Sequence, residues 1–290
     1  MIAILISTTY KRLSNIQSHQ FPVSDKLNYI ISCQGEKEHN DDFYISHLDK
    51  VFSSNSYVLL HLKKSGLSNN RNNCLSYFIK NDTNSTHCYI ADDDISIIKE
   101  NLFTLKDIAS ENNIDLAIGK VITDNESKIE YKNYPDKQFF FSLISASKIS
   151  SVEMLISKSI LLKTKVEFDK NFGLGTTFPS GEEYIFSTDI IKKKGKVCFF
   201  PINICIHPME SSGKDFFSSR DKIQAKGAML CRIFGSKKAK LFALIWAIKK
   251  YTVYKKYISF FSFKKTLFSG IENFSSLNKN LSQKELSDNT

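Results

Sequence analysis

Apolar residues along this chain fall into short unbroken runs, separated by stretches with helical spacing. Residues 2–7, 29–32, 57–62 and 87–91 are continuous runs of strand length. Such runs are the mark of strands buried on both faces, as in a parallel sheet. Residues 114–121 give another, and residues 196–200 a late one that leads into Cys205, Ile206, His207 and Pro208. Residues 139–143 and 152–156 predict two more strands, as an antiparallel addition. Helical spacing follows Gly66, recurs over 100–112 and from 182 to about 193, and continues from 221 to 268. Residues 172–181 (FGLGTTFPSG) are turn formers and predict a loop. The polar stretch 275–290 predicts a frayed end. Strands alternating with helices predict an α/β fold. The expected division is a catalytic body over 1–212, a basic helical region over 213–272 and a disordered tail over 273–290.

With 290 residues, 42% of them hydrophobic and 24% charged, the chain suits one large α/β domain with an appendage. The opening apolar run is too short for a signal peptide. The apolar stretch 241–248 is fenced by Lys240, Lys249 and Lys250, and eight residues do not span a bilayer. Six scattered cysteines without a C-x-x-C pair exclude a zinc ribbon or a disulfide framework and predict a reducing, cytoplasmic setting.

Charge changes the picture further along. Between residues 191 and 270 there are 18 Lys and Arg against 3 Asp and Glu, while the remainder carries 22 basic and 27 acidic residues. A mildly acidic body is followed by a region that seeks phosphates, on anionic lipid or on nucleic acid. Lys237, Lys238, Lys240, Lys249, Lys250, Lys255 and Lys256 flank Phe242, Trp246 and Tyr254. That pattern predicts a basic amphipathic segment lying on an anionic membrane surface, with a solvated helix packed on the domain as its rival.

Four places carry candidate chemistry. Asp92, Asp93 and Asp94 follow the 87–91 strand at its carboxyl end, where open α/β sheets collect ligands. Alternation along an extended chain lets Asp92 and Asp94 face one ligand, and hard divalent ions such as Mg²⁺ or Mn²⁺ take oxygen donors. A solvated acidic turn capping the next helix is the bland alternative. Gly66, Ser68, Arg71 and Asn72 open a helix and suit an anionic or ribose-bearing ligand, or ordinary capping. Gly181, Glu182 and Glu183 place two carboxylates at a helix start, where one can act as a general base or both can simply favour the helix dipole. His207 alone reads as structural unless it meets the aspartates.

Taken in order, these pieces resemble glycosyltransferase family 2, the inverting transferases of GT-A fold. Ile6-Ser7-Thr8-Thr9-Tyr10-Lys11-Arg12 resembles the family's opening strand and turn, usually I-P-T-Y-N-R. Gly66-Leu67-Ser68 with Arg71-Asn72 resembles its G-L-S-x-A-R-N segment. Ala91-Asp92-Asp93-Asp94 is similar to its metal-binding D-x-D, and Gly181-Glu182-Glu183 to its G-E-D or G-E-E. The resemblance spans about residues 1–210, and Lys226 to Gly235 is similar to bacterial surface-polysaccharide members.

It implies a Rossmann-like mixed sheet flanked by helices with a basic helical C-terminal extension. It also implies transfer of a sugar from a nucleotide diphosphate, UDP favoured, to a glycan or lipid-linked glycan. Thr8, Thr9, Tyr10, Gln34, Gly66, Arg71, Asn72, Asp92 and Asp93 are then expected to bind the donor. Asp94, Asp92 and His207 would hold Mn²⁺ or Mg²⁺, and Glu183, helped by Glu182, would be the base. Two departures stand out: Ile31-Ser32-Cys33-Gln34 lies where members often place an Asp for the nucleobase, and Lys11 replaces an Asn. The rival readings are a sugar-nucleotide nucleotidyltransferase, for which a Gly-rich phosphate loop after the first strand is missing, and a non-enzymatic basic protein. The second leaves the acidic residues unexplained, and no nucleic-acid partner is expected.

Overall fold

A computed structural model describes residues 1–52, 56–124, 126–208, 217 and 219–287. In chain order the elements are β1 (Ile2–Thr9), α1 (Tyr10–Leu13), β2 (Leu27–Gln34), α2 (Asp41–Val51), β3 (Tyr57–Leu62), α3 (Leu67–Lys80) and β4 (His87–Asp92). Then come β5 (Ser96–Ile97), α4 (Lys99–Glu111), β6 (Leu116–Ile122), β7 (Phe139–Phe140), β8 (Met154–Ser157) and α5 (Lys158–Thr164). The chain continues as α6 (Glu182–Lys192), β9 (Val197–Ile206), α7 (Arg220–Phe234), α8 (Ser236–Tyr254) and α9 (Phe260–Ser287).

The chain forms two compact units, one of Met1–Phe168 with Phe186–Glu210, the other of Asp169–Ile185 with Ser211–Thr290. The glycine-rich loop and the start of α6 thus group with the C-terminal helices, where the sequence reading kept all of 1–212 together.

The first unit is built on one sheet in the order β3-β2-β1-β4-β8-β6-β9-β5, with β7 pairing β9. β1 is parallel to both β2 and β4, and Ile2, Ile4, Ile6, Tyr29, Ile31, Tyr89 and Ala91 share the core. Burial on both faces is what the unbroken apolar runs required. β8 is antiparallel, as expected, but it sits between β4 and β6 inside the sheet rather than as an addition to it. All four of its residues are buried, which an edge position would not provide. β9 runs well past the expected 196–200 to Ile206. Its end pairs with β5, a two-residue strand the sequence reading did not anticipate. Helices α2 and α5 were likewise unanticipated.

The second unit contains α7, α8 and α9. Of the tail expected over 273–290, the residues up to Ser287 belong to α9, and 288–290 lie outside the described residues. Phe263, Leu267, Ile271 and Phe274 are buried at spacings of four, four and three, a helical stripe that outweighs the polar composition around it. Phe274 packs against Phe172 and Phe178 of the glycine-rich loop, with ring centroids 5.5 and 6.0 Å away. Close approach of α7 and α9 rests on two glycines: a Cβ at Gly227 would lie 2.0 Å from the Leu267 carbonyl oxygen, and one at Gly270 would lie 2.0 Å from that of Gln224.

Candidate functional site

Strand order reverses at β1, with β2 and β3 on one side and β4 on the other. The crevice beyond the strand ends at such a reversal is where open α/β sheets bind ligands. Register decides which side chains meet there. Ser7 pairs with Asp92 and Thr9 with Gln34, so Thr8 falls level with Asp93, to which its hydroxyl donates.

The three aspartates are held by two arginines. Arg71, buried on α3, donates to Asp92 at 3.1 Å and to the Ser151 hydroxyl at 2.8 Å, with its guanidinium over the Phe168 ring. Arg12 bridges Asp93 and Asp94, the latter at 2.9 Å. Like charges this close need such compensation. Burial pushes the Asp93 carboxyl up to about 6, against the opposing pull of Thr8 and Arg12 and with the help of Asp94 and Asp92.

His207 reaches the aspartates through β5. Ser96 pairs with Ile206, which sets the next residue of β9 level with the end of the acidic segment. Its Nδ1 makes a 2.7 Å hydrogen bond with the Pro208 carbonyl. A carbonyl only accepts, so Nδ1 carries a proton and donates it to Pro208, which leaves Nε2 as the ring nitrogen turned toward the aspartates. Nε2 faces Asp94 Oδ1 at 3.6 Å, and Asp94 Oδ1 is buried without a hydrogen-bond partner among the described residues. Donor atoms of Asp92, Asp94 and His207 all lie within 4.8 Å of one another. An imidazole nitrogen and two carboxylates converging in this way fit a divalent cation, with the Pro208 carbonyl orienting the ring from behind.

The other expected donor-binding residues divide. Thr9 is the N-cap of α1. The Tyr10 hydroxyl is bonded to His61 Nδ1, and burial pushes it up to about 12. Gln34 has its Oε1 buried without a partner, an acceptor at the end of β2. Gly66 caps α3 at φ 110°, a backbone that only glycine adopts readily. Asn72 has both ends of its amide occupied by the backbone of Phe168, at 2.7 and 2.8 Å, which makes it a clamp on that segment. Asn70, which the sequence reading passed over, donates to the Thr8 carbonyl at 2.8 Å. Arg12 was seen only as part of a motif; its place one turn beyond the first strand was the available signal.

Glu182 and Glu183 belong to the second unit and open α6. Gly181 before them has φ +98°, and a Cβ there would lie 2.2 Å from Met229 Sδ, so another residue would strain the backbone and displace the Met229 side chain. Glu182 is buried. Lys226 of α7 lays its ammonium over the rings of Tyr184 and Trp246, at 5.1 and 5.7 Å. Burial pushes that ammonium down to about 8, against the pull of Glu183 and with the help of Lys250.

No protein-family model matches the chain, and no curated protein does. Solved structures do. TarS from S. aureus superposes with a TM-score of 0.55 at 12% identity, over 87% of this chain and 43% of that one. The present chain therefore spans less than half the length of that TarS chain. Residues 1–349 of TarS give 0.54 at 12% identity in complex with UDP, covering 88% and 73% of the two chains. In complex with UDP-GlcNAc they give 0.58 at 11%, covering 88% and 74%. At such identities the likeness is one of fold, and by fold this chain has the GT-A architecture that the sequence resemblance implied.

Proposed function

We propose that the chain is a metal-dependent glycosyltransferase. It moves a sugar from a nucleotide diphosphate, UDP favoured, to a glycan or lipid-linked glycan, with inversion, in cytoplasmic surface-polysaccharide synthesis. The observation that carries this reading is the pair of facing donors, Asp94 Oδ1 and His207 Nε2, beside Asp92 at the strand ends. The fold likeness to a protein crystallised with UDP-GlcNAc supports the donor class.

Mn²⁺ or Mg²⁺, when bound by Asp94, Asp92 and His207, supplies positive charge for the leaving diphosphate. Arg12 and Arg71 pair with the carboxylates and aim them. Gln34 Oε1 is an acceptor suited to the N3–H of uracil. Thr8, Thr9, Tyr10 and Gly66 line the strand ends where the nucleoside would lie. Glu183 takes the proton of the acceptor hydroxyl as that oxygen attacks the anomeric carbon from the face opposite the leaving group. One displacement inverts that carbon. Glu182, buried beside it, serves the acceptor or the helix start.

A thermal-shift screen of UDP-, GDP-, CMP- and dTDP-sugars with and without Mn²⁺ tests the donor. The expected result is stabilisation by a UDP-sugar with Mn²⁺, about 2.7 kcal/mol at a hundredfold excess over Kd. No stabilisation by any nucleotide sugar contradicts the reading.

A further inference from the structure

We infer that the outer face of α8 docks on an anionic lipid bilayer, lying in the plane of the surface. The helix has two apolar faces. Ala239, Ala243 and Ala247 are fully buried at four-residue spacing, and their small side chains let α8 lie close against the other helices of its unit. Leu241, Ile245 and Ile248 are 59%, 51% and 61% exposed. At about 100° per residue these three fall within about 60° of one another, centred about 170° from the alanines. The exposed stripe is therefore directly opposite the packed one, and among the described residues nothing covers it.

Lysines border that stripe on both sides. On the same helical count, with Ala239 at zero, the stripe occupies about 180–240°. Lys237 and Lys255 fall at about 160°, and Lys238, Lys249 and Lys256 at about 260–280°. All five are exposed, and Lys255 keeps helical backbone just past the helix end. Where the chain turns toward α9, Tyr257 and Phe261 are 56% and 77% exposed, and the Lys256 ammonium lies 4.9 Å over the Tyr257 ring. Residues 236–265 contain nine lysines and no acidic residue.

Charge selects the occupant. A second copy of the same face would bring lysines against lysines with no carboxylate between them. An anionic bilayer offers an apolar edge for the stripe and phosphates along both borders, where lysines extend their stems over apolar surface and leave the ammonium in the headgroups. Among the described residues no helix is long and apolar enough to cross a membrane, so the helix rests on the surface. The inference stands apart from the transferase reading, since vesicle binding needs neither donor nor metal.

Co-sedimentation of the full chain with phosphatidylcholine vesicles, with and without phosphatidylglycerol, tests it. Binding is expected only with phosphatidylglycerol and should weaken with salt. Lys238→Ala/Lys249→Ala/Lys256→Ala should lower the partition coefficient by about tenfold or more. Leu241→Ser/Ile245→Ser/Ile248→Ser should abolish sedimentation with the melting temperature retained; if that variant is unfolded, the lysine variant alone decides. Equal binding to both vesicle types, no binding to either, or lysine-variant binding equal to wild type overturns the inference. So does light scattering that shows a dimer which the serine variant converts to monomer.

Discussion

The strand ends of the first unit and the three helices of the second handle charge in opposite ways. At the end of β4 three carboxylates crowd together and two arginines reach across from other elements to meet them. Along α8 the lysines stand at the borders of an apolar stripe, with no acidic residue in the segment that carries them. Gathering like charge and then compensating it incompletely suits a bound cation and phosphates. Among the described residues only Lys240 of α8 meets a carboxylate, that of Glu272 at 3.9 Å, and like charge left in this way beside apolar surface suits an extended anionic partner. The acidic site is fixed by sheet register, to within a residue. The basic surface is fixed only by how a helix is rotated in its packing.

The largest expected effect concerns the base. Glu183→Gln keeps shape and hydrogen bonding but removes basicity, so turnover should fall about 10²–10⁴-fold with donor binding retained. Glu182→Gln should chiefly weaken acceptor use. Steady-state kinetics on both variants checks this, and the reverse pattern would transfer the role to Glu182.

The packing of the helical unit is the next place to press. Gly227→Ala places a methyl carbon against the Leu267 backbone, and overpacking of this kind costs about 1–3 kcal/mol. Chemical denaturation should show that loss. Gly235→Ala has open space around its Cβ but a φ of +76°, so its smaller cost is one of backbone strain alone. Equal stability of Gly227→Ala and wild type would mean that α7 and α9 do not approach as described.

These two experiments fall on either side of what the sequence made legible. The first four long strands were readable because a parallel sheet buried on both faces demands unbroken apolar runs, and the acidic turn after β4, the glycine-rich loop and the start of α6 followed from their residue types. His207 could be named but not placed, since β5 is two residues long and has no period to detect. β8 was seen as apolar, yet its position inside the sheet depends on pairing partners remote in sequence. The helical course beyond residue 272 was not legible, because Ser and Asn dominate the composition there and the buried stripe of Phe263, Leu267, Ile271 and Phe274 lies almost wholly before it. α8 hid its two faces for a related reason: opposed apolar stripes cancel in any reading that looks for a single amphipathic direction.

A smaller effect separates the units by pH. Burial pushes the thiols of Cys33, Cys74 and Cys205 up to about 12, and all three lie in the first unit. Their folded pKa values exceed the unfolded value of about 8.5. Each therefore contributes stability that is complete below about pH 8.5 and is lost as pH rises toward 12, at no more than about 1.4 kcal/mol per pH unit. Denaturation series above pH 8.5 should show falling stability, and Cys74→Ala should flatten the slope. A slope unchanged in that variant would mean that Cys74 does not resist ionisation in the fold.

The central claim is that the carboxylates and imidazole beyond the strand ends hold a cation needed for donor binding. Calorimetric titration of UDP-GlcNAc into wild type and Asp94→Ala, each with and without Mn²⁺, tests it most directly. The account predicts binding by wild type that requires Mn²⁺ and is lost in Asp94→Ala. Undiminished Mn²⁺-dependent binding by Asp94→Ala would contradict it.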